Sequence, residues 1–421
     1  PPAQAHGTRP PTAHMRPSAG VGTRLDEGTM IWSGARLQPP AGAGVTRGRW
    51  PHVAVSALVL AAVLFLRRGA QLLAPQLWNE DGLRNLPGLL GSGLSSLWEP
   101  INGYLILVPK LVTAAALSVS FWHYPLVSTL IAWLVVVAVG LAIALSPLRL
   151  RGGLALALVA FLVPAAPEVF GLPLYTFWWT ALLLFLLVLW DENRRDLGWR
   201  SGFAVLGGLS SPVVVMVLPA LVVRAWIYRR QGPQEWVVAA VAGGCAALQL
   251  GVSSTAPLTL VRVPLEAATG ALVVPQFLGR YLVGNFTDSG YGLSLAGGAF
   301  AVYLAVSLWR HRTELPAWLV AYLWLGAVAM AAVRNDIGIL HPEFAGARYF
   351  FLPFVVTSWW LVHLAAAPGG VRRSPLAWAF LALALVNALP VLSWSHRDMG
   401  WHRHLLSCPH FPEYRIPVHV R

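Results

Sequence analysis

Two adjacent carboxylates, Glu80 and Asp81, are the residues of this chain whose type and spacing best suit chemistry. They follow a long apolar run, in the segment Trp78-Asn79-Glu80-Asp81-Gly82. Neighbouring carboxylates repel each other, and a tryptophan and a membrane surface would partly desolvate them. Both effects raise a carboxyl pKa and suit a general base or a cation site. The structural alternative is that Asn79 or Asp81 caps the helix that follows.

Further charged and polar residues lie at the ends of apolar runs or at breaks within them. An arginine or lysine in such a place is often an anchor that extends toward lipid head groups, and position alone gives it no chemistry. These residues are Asn102, Tyr104, Lys110, Glu168, Arg280, Arg348 and Tyr349.

The composition is that of a membrane protein. Of the 421 residues, 57% are hydrophobic and only 11% are charged, whereas a soluble domain carries about a quarter charged residues. Apolar runs of about 20 residues recur from Val53 to Trp394, which predicts an all-α, polytopic helical bundle. The net charge of +13 comes from arginines placed between these runs, a pattern typical of topology signals, so we expect no nucleic-acid partner.

The arginine pairs predict which loops face the cytoplasm, because short basic loops stay inside. With the N-terminus also inside, residues 67–124 form a long first external loop, since only Pro125 to Leu145 separates them from Arg149. Within that loop, Asn102 to Phe121 is interrupted by Pro109-Lys110 and is expected as a helix on the outer membrane surface. The loops used are those with Arg149 and Arg151; Arg194, Arg195 and Arg200; Arg229 and Arg230; Arg310 and Arg312; and Arg372 and Arg373.

The run from Ser201 to Trp226 needs a different solution, because arginines flank it on both sides. A single span cannot begin and end inside, so the segment predicts two short helices that turn at Ser211-Pro212. The whole pattern then predicts about eleven transmembrane helices with external juxtamembrane helices. Residues 1–48 are expected to be a disordered N-terminal segment, 49–394 the transmembrane domain, and 395–421 an external tail.

Several motifs follow one another in a fixed order along the predicted spans and loops. They are Glu80-Asp81, Glu99 to Tyr104, Pro109-Lys110, Pro167-Glu168 before Phe177-Trp178-Trp179, Gly207 to Pro212, and Gly346 to Tyr349. This ordered set resembles the GT-C superfamily of membrane glycosyltransferases, which includes protein O-mannosyltransferases and the aminoarabinose transferases of lipid A. The resemblance covers most of Val53 to Trp394. Two departures concern the subfamily: Ser-Ser-Pro stands where relatives often have a Lys-Gly type of turn, and no large soluble domain follows the last span.

The resemblance implies an inverting transfer of a hexose or pentose from a polyprenyl-phosphate donor to a glycan, lipid or protein acceptor. Asp81 would be the base, with Glu80 as its partner or as the base itself. Lys110, Arg280 and Arg348 would hold the phosphate. Glu168, Tyr349, Asn102 and Tyr104 would complete the substrate site.

The arginine pattern predicts a cell-membrane protein, surrounded by lipid, with a cytoplasmic N-terminus and an external C-terminus. The use of arginine in place of lysine, with Lys110 as the one lysine of the sequence, indicates a bacterial source. No cofactor is implied, and a divalent metal is possible but not indicated. The tail histidines, such as His402 and His404, lack the helical ligand spacing with a neighbouring carboxylate that a metal site requires, so no metal ligand is predicted.

Two other functions fit a polytopic membrane protein. A transporter or flippase for lipid-linked oligosaccharides would carry ionisable residues at mid-membrane, and the predicted spans have almost none. A membrane polysaccharide polymerase or ligase would rely on external arginine and histidine more than on an acidic pair in the first loop.

Overall fold

The computed structural model describes residues 50–78, 80–191, 196–255, 271–342, 346–367, 374–392 and 400–407. Within these ranges the chain is all-helical, with two isolated bridges and no strand. The predictions for residues 1–48, for most of the C-terminal tail and for Arg194, Arg195, Arg372 and Arg373 fall outside the described residues. The all-helical prediction is confirmed for the part described.

Six of the described helices, α1, α4, α9, α11, α12 and α14, are long and apolar enough to cross a membrane. The others are shorter, so the predicted total of about eleven spans stays a prediction. The helices are α1 Trp50–Leu73, α2 Leu86–Ser92, α3 Leu107–Val119, α4 Tyr124–Leu145, α5 Gly153–Leu162, α6 Thr176–Leu189, α7 Leu197–Gly208, α8 Val213–Ile227, α9 Gln234–Thr255, α10 Ala271–Val283, α11 Gly290–Arg310, α12 Leu315–Arg334, α13 Phe351–Ala365, α14 Pro375–Leu392 and α15 Trp401–Ser407.

Loops that the arginine pattern assigns to one side of the membrane do meet at one end of the bundle. Arg149 donates from Nη2 to the Tyr228 hydroxyl at 2.5 Å, and the backbone N–H of Arg151 donates to Nδ1 of His363 at 3.1 Å. We call this end the arginine face, and the opposite end, where residues 74–106 and the starts of α6 and α13 lie, the loop face. Which face meets the cytoplasm stays a prediction.

The broken hairpin is confirmed. The first helix, α7, ends at Gly208 and the second, α8, begins at Val213. Arg200 of α7 and Arg224 of α8 both bind the Glu235 carboxylate at the start of α9, with N–O distances of 2.5 and 2.8 Å. Because both outer ends converge on one carboxylate, the two helices leave and return to the arginine face.

The first helix is longer than predicted. It runs to Leu73 and includes Arg67, which the sequence placed in the loop after Leu66. Arg67 is buried because its guanidinium caps the end of α5, where the last carbonyls of a helix have no intrahelical partner, and it stacks 3.6 Å from the Phe170 ring centroid. Its acceptors are the carbonyls of Phe161, Val163 and Ala165, at 2.5–3.0 Å.

The predicted surface helix exists as the shorter α3. Its first turn is fastened to the α7–α8 turn, because the N–H of Leu107 donates to the Leu209 carbonyl at 3.1 Å and that of Val108 to Ser210 Oγ at 3.0 Å. Pro109 fits this first turn because no intrahelical partner is lost there. The position of α3 on a membrane surface stays a prediction.

Two helices form the centre of the bundle. Every residue of α6 and of α13 is buried, and the two helices meet where Phe351 packs 5.2 Å from Trp179, measured between ring centroids. Helices that are apolar on all sides belong in the interior of a bundle. Tyr175 immediately precedes α6 and Arg348 lies just before α13, so the core fixes both side chains at the loop face.

Candidate functional site

The carboxylate pair lies where the first loop re-enters the bundle. A π-helical turn over Asp81–Asn85 leads directly into α2, and the N–H of Gly82 donates to the Trp78 carbonyl at 2.9 Å. Glu80 flanks this turn and its side chain makes no capping hydrogen bond. The helix-cap alternative for Asn79 lies outside the described residues. The turn directs the two neighbouring carboxylates into different surroundings.

Glu80 lies beside a cation and a hydroxyl. Its Oε2 accepts a hydrogen bond from the Tyr175 hydroxyl at 3.1 Å, and its Oε1 lies 3.5 Å from Nη1 of Arg348. About a quarter of each charged side chain is exposed. Glu80 is therefore a partly accessible carboxyl group at the loop face, paired with a hydroxyl and a guanidinium.

Asp81 is fully buried, with 1% of its surface exposed. Neither carboxylate oxygen has a hydrogen bond of regular geometry among the described residues. Burial raises the pKa of Asp81 to about 7, the Glu80 charge adds to this rise, and the Asn85 side chain and the Leu174 N–H partly oppose it. Asp81 does not line the cavity that Glu80 lines.

Arg348 is the centre of the cluster. Its Nη1 donates to the Tyr175 hydroxyl at 3.1 Å, and its backbone N–H donates to Oε1 of Glu168 at 3.1 Å. Burial alone would lower the pKa of Arg348, but Tyr175, Glu80 and Glu168 raise it above its ordinary value, so the guanidinium stays charged. The predicted residues Glu80, Glu168 and Arg348 thus meet in one cluster.

Tyr175 connects the carboxylate to the guanidinium. Burial, and then the nearby Glu168 charge, raise its pKa well above the ordinary value, so the hydroxyl keeps its proton and can donate to Glu80. Tyr349 flanks the same guanidinium, since Cζ of Arg348 lies 5.7 Å from the ring centroid of Tyr175 and 5.7 Å from that of Tyr349. Trp178 packs edge-on against Tyr349 at 5.5 Å. The aromatic groups restrict where the guanidinium can point.

A cavity of about 10 Å³ adjoins this cluster, which is room for about one water molecule. Tyr104 forms part of its wall, and burial raises the pKa of that hydroxyl to about 12. A sugar does not fit this volume, so substrate binding here requires the side chains to separate. The lining residues are Glu80, Ile101, Asn102, Tyr104, Ile106, Leu174, Phe177 and Arg348.

The cavity wall includes a tight turn that the sequence encodes directly. Ile101 and Tyr104 exchange two backbone hydrogen bonds of 3.0 and 3.2 Å, and Asn102 and Gly103 have φ values of +54° and +81°. Asn-Gly is the pair that this type I′ turn favours, because both central residues need a positive φ. Ser253 of α9 donates to the Gly103 carbonyl at 2.6 Å and fastens the turn to the bundle.

A second and larger cavity, of about 200 Å³, shares Ile101 and Asn102 with the first. Lys110, predicted to bind phosphate, lines it, but its ammonium already donates to the carbonyls of Ser96 and Glu99. Burial lowers the pKa of Lys110, and Glu99 partly opposes this. The second cavity is lined by Arg84, Asn85, Gly88, Glu99, Pro100, Ile101, Asn102 and Lys110.

Arg280 is not brought to either cavity. Its Nη1 donates to Asp288 at 3.0 Å, and its Nε donates to Gln276 at 2.7 Å. His341 lies 3.1 Å from the same Asp288 oxygen, and the pKa of Asp288 is lowered by Arg280 and then by His341. The structure therefore gives Arg280 a carboxylate partner of its own, away from Glu80.

Three polar residues of the site went unnoticed in the sequence. Tyr175 bridges Glu80 and Arg348, and Arg84 donates to Oδ1 of Asn102.

The third residue is Arg334, at the end of α12. Its guanidinium lies 5.5 Å from the Tyr104 ring centroid and makes no hydrogen bond or ion pair with another described residue. Arg334 could have been found as an arginine ending a run predicted to emerge on the same side as Arg348.

The described residues contain no group of three histidine, cysteine, aspartate or glutamate side chains that could hold a metal ion. The arrangement instead offers a carboxylate that can accept a proton, guanidiniums that can stabilise an anion, and a tyrosine between them. Comparisons with known protein families, with curated proteins and with solved structures found no match for this chain.

Proposed function

We propose that this chain is a membrane glycosyltransferase that moves a sugar from a polyprenyl-phosphate donor to an acceptor hydroxyl at the outer face of a cell membrane. The observation that supports this most is the cluster in which Glu80 lies 3.1 Å from Tyr175 and 3.5 Å from Arg348 at a cavity in the loop face. The proposal includes about eleven spans, a cytoplasmic N-terminus and an external C-terminus, with the loop face outward, as the arginine pattern predicts.

In this proposal Glu80 is the general base. As the acceptor oxygen bonds to the anomeric carbon, its proton passes to the Glu80 carboxylate, the bond from the anomeric carbon to the phosphate oxygen breaks, and polyprenyl phosphate leaves. Glu80 suits this role better than Asp81, because a base must reach the acceptor hydroxyl and Asp81 is buried outside the cavity.

The leaving phosphate is stabilised by Arg348 and Arg334. Arg348 stays charged between its acidic neighbours. The guanidinium of Arg334 lies next to the Tyr104 ring and makes no hydrogen bond with another residue of the described ranges. A preorganised cation next to the developing charge lowers the barrier without reorganising at the moment of reaction. Lys110 and Arg280 contribute less to phosphate binding in this proposal, because each already donates to an acceptor within the protein.

A transfer enzyme fits this geometry better than a transporter. The ionisable residues of α1, Arg67 and Arg68, are buried. Arg67 donates to backbone carbonyls and Arg68 donates to the Gln71 amide oxygen, so both stabilise helix packing and do not line a substrate pathway. The charges that reach a cavity gather at the loop face. Surface chemistry therefore explains their position more simply than passage through the membrane.

The test compares Glu80→Gln with Glu314→Gln, which removes a partly exposed carboxylate paired with His311 at the arginine face. Membrane vesicles with equal amounts of each protein receive radiolabelled undecaprenyl-phosphate mannose or decaprenyl-phosphate arabinose, and transfer to membrane acceptors is measured. Glu80→Gln should lower transfer at least about 100-fold, or about 3 kcal/mol, as the loss of a general base does. Transfer at the parent rate by Glu80→Gln would make the cluster structural.

A further inference from the structure

The second cavity of the loop face has a polar lining of mixed character. Its volume of about 200 Å³ equals that of about seven water molecules in the liquid, enough for one small ring with hydroxyl groups. It is bounded by α2 on one side and by the turn at Ile101–Tyr104 on the other. Unlike the cavity at Glu80, it has room for a ligand without prior opening.

The lining of this cavity supplies both hydrogen-bond donors and acceptors. Arg84 supplies N–H donors, Asn102 supplies an amide, and Glu99 supplies a carboxylate. Asn85 is 2% exposed and donates from Nδ2 to Thr113 at 2.7 Å, while its Oδ1 has no described partner. A buried amide oxygen without a donor is costly unless a ligand or water satisfies it.

The charges of the lining do not suit a phosphate. The ammonium of Lys110 is engaged by the Ser96 and Glu99 carbonyls, and Arg84 already donates to Asn102. The Glu99 carboxylate would repel a second anion in the same cavity. Hydroxyl groups, which donate to carboxylate and amide oxygens and accept from guanidinium N–H groups, match this mixture.

We propose that this cavity binds the sugar ring of a saccharide acceptor. This inference rests on the proposed function, since it names the molecule that receives the transferred group. Asn102 lies in the walls of both cavities, so a ring held between Arg84 and Glu99 has its nearest route to Glu80 past this side chain. The acceptor ring therefore occupies the larger cavity, and its reacting hydroxyl extends past Asn102 to the base.

Gly88 offers a direct probe of this cavity. A Cβ at Gly88 would lie 4.0 Å from Oε2 of Glu99 and 3.9 Å from the Ser96 Cβ, which are ordinary contacts, so Gly88→Cys places a thiol at the proposed sugar position without strain. Gly91 lies in the same helix, and a Cβ there would meet no atom within 4 Å. Gly91→Cys is thus a matched control outside the cavity.

The experiment measures how fast methyl methanethiosulfonate modifies each thiol in a full-length background with Cys245→Ala and Cys408→Ala. D-mannose, D-glucose, D-galactose, D-arabinose or inorganic phosphate is added in turn, at millimolar concentrations. A bound ligand lowers the rate of thiol modification by a factor of 1 + [L]/Kd, where [L] is the ligand concentration. At a ligand concentration of three times Kd the rate falls about fourfold. At least one sugar should protect Gly88→Cys, phosphate should not, and Gly91→Cys should react at the same rate throughout.

Protection by phosphate, or no protection by any sugar, would overturn the assignment of a saccharide site. A second readout separates this from the proposed function. Modified Gly88→Cys should lose transfer to saccharide acceptors while still cleaving the donor with water, whereas Glu80→Gln should lose both reactions. If Glu80→Gln abolishes transfer but filling the cavity at Gly88 does not affect it, the transferase proposal stands and the acceptor site lies elsewhere.

Discussion

Nη1 of Arg348 lies 3.5 Å from Oε1 of Glu80, which joins the first loop to the turn before α13. The pair neutralises both groups in the protein without substrate. A phosphate bound by Arg348 would compete for the guanidinium, so we expect donor binding to release Glu80 from its ion pair. The carboxylate would then be free to accept a proton only when a donor is present.

Arg334 is predicted to contribute to donor binding. Arg334→Gln should raise the KM for the polyprenyl-phosphate sugar about 10- to 150-fold and leave the amount of folded protein unchanged, because a charge-assisted contact to phosphate is worth about 1.5–3 kcal/mol. Arg312→Gln is the control, since Arg312 also stacks on an aromatic ring, 4.4 Å from the Trp309 centroid, but lies at the arginine face. Equal KM values for the two variants would show that Arg334 does not bind the donor phosphate and would leave it the role of an anchor to lipid head groups.

Asp81 predicts a pH dependence of stability. Its pKa is about 7 in the folded protein and 3.8 as the ordinary value, so between these pH values the folded state binds more protons than the unfolded state. Stability must therefore fall as pH rises from about 4 to 7, by at most about 4 kcal/mol from this group. Asp81→Asn should remove this pH-dependent decrease in the free energy of unfolding.

The measurement is the thermal unfolding midpoint of Asp81→Asn and the parent in detergent, from pH 4 to pH 8. The Tm of the variant relative to the parent should increase up to about pH 7 and then stay constant. The difference at pH 4 reports the effect of the amide itself, because Asp81 is then neutral in the parent. A difference that does not change with pH would mean that Asp81 is ionised in the folded protein.

The ion cluster at the arginine face is predicted to be a main source of stability for the broken hairpin. Glu235→Gln leaves Arg200 and Arg224 buried without a carboxylate, which costs about 3–5 kcal/mol when one partner of a buried ion pair is removed. Glu314→Gln, which removes a partly exposed partner of His311, should cost at most about 1 kcal/mol. Thermal unfolding in detergent measures both, and similar midpoints would show that the hairpin is held by packing instead.

The orientation of the bundle is testable with single cysteines, again with Cys245→Ala and Cys408→Ala. Ser92→Cys and Ser289→Cys lie at exposed positions of the loop face, and Gly198→Cys and Gln231→Cys lie at exposed positions of the arginine face. A membrane-impermeant thiol reagent added to intact cells should label the first two only. Labelling of the second two only would reverse the proposed orientation and place the site in the cytoplasm.

The sequence predicted best what depends on local pattern. Arginine counts and the flanks of Ser201 to Trp226 were enough to predict the two short helices, because a charge rule constrains both ends of the segment. The family resemblance assigned Glu80, Glu168 and Arg348 to one site, and the three residues do lie in one cluster, while their roles stay a prediction. These predictions depend on side and order, not on atomic packing.

What the sequence could not predict depends on contacts between distant residues. Arg67 extends α1 because carbonyls at the end of α5 receive its guanidinium, and nothing near Arg67 in the chain reveals those carbonyls. The different surroundings of Glu80 and Asp81 arise because the π-helical turn directs one toward Tyr175 and buries the other. Arg280 was misplaced for the same reason, since its partner Asp288 was not recognised.

The shared carboxylate of the broken hairpin has a consequence for how the protein is made. Arg200 and Arg224 precede Glu235 along the chain, so a growing polypeptide presents both guanidiniums before their common partner has been synthesised. Burying them alone is unfavourable, and elongation is slow compared with helix formation. The ion cluster therefore cannot form until α9 has begun to be synthesised, so the two short helices gain this contact only after the chain of the third helix has followed them.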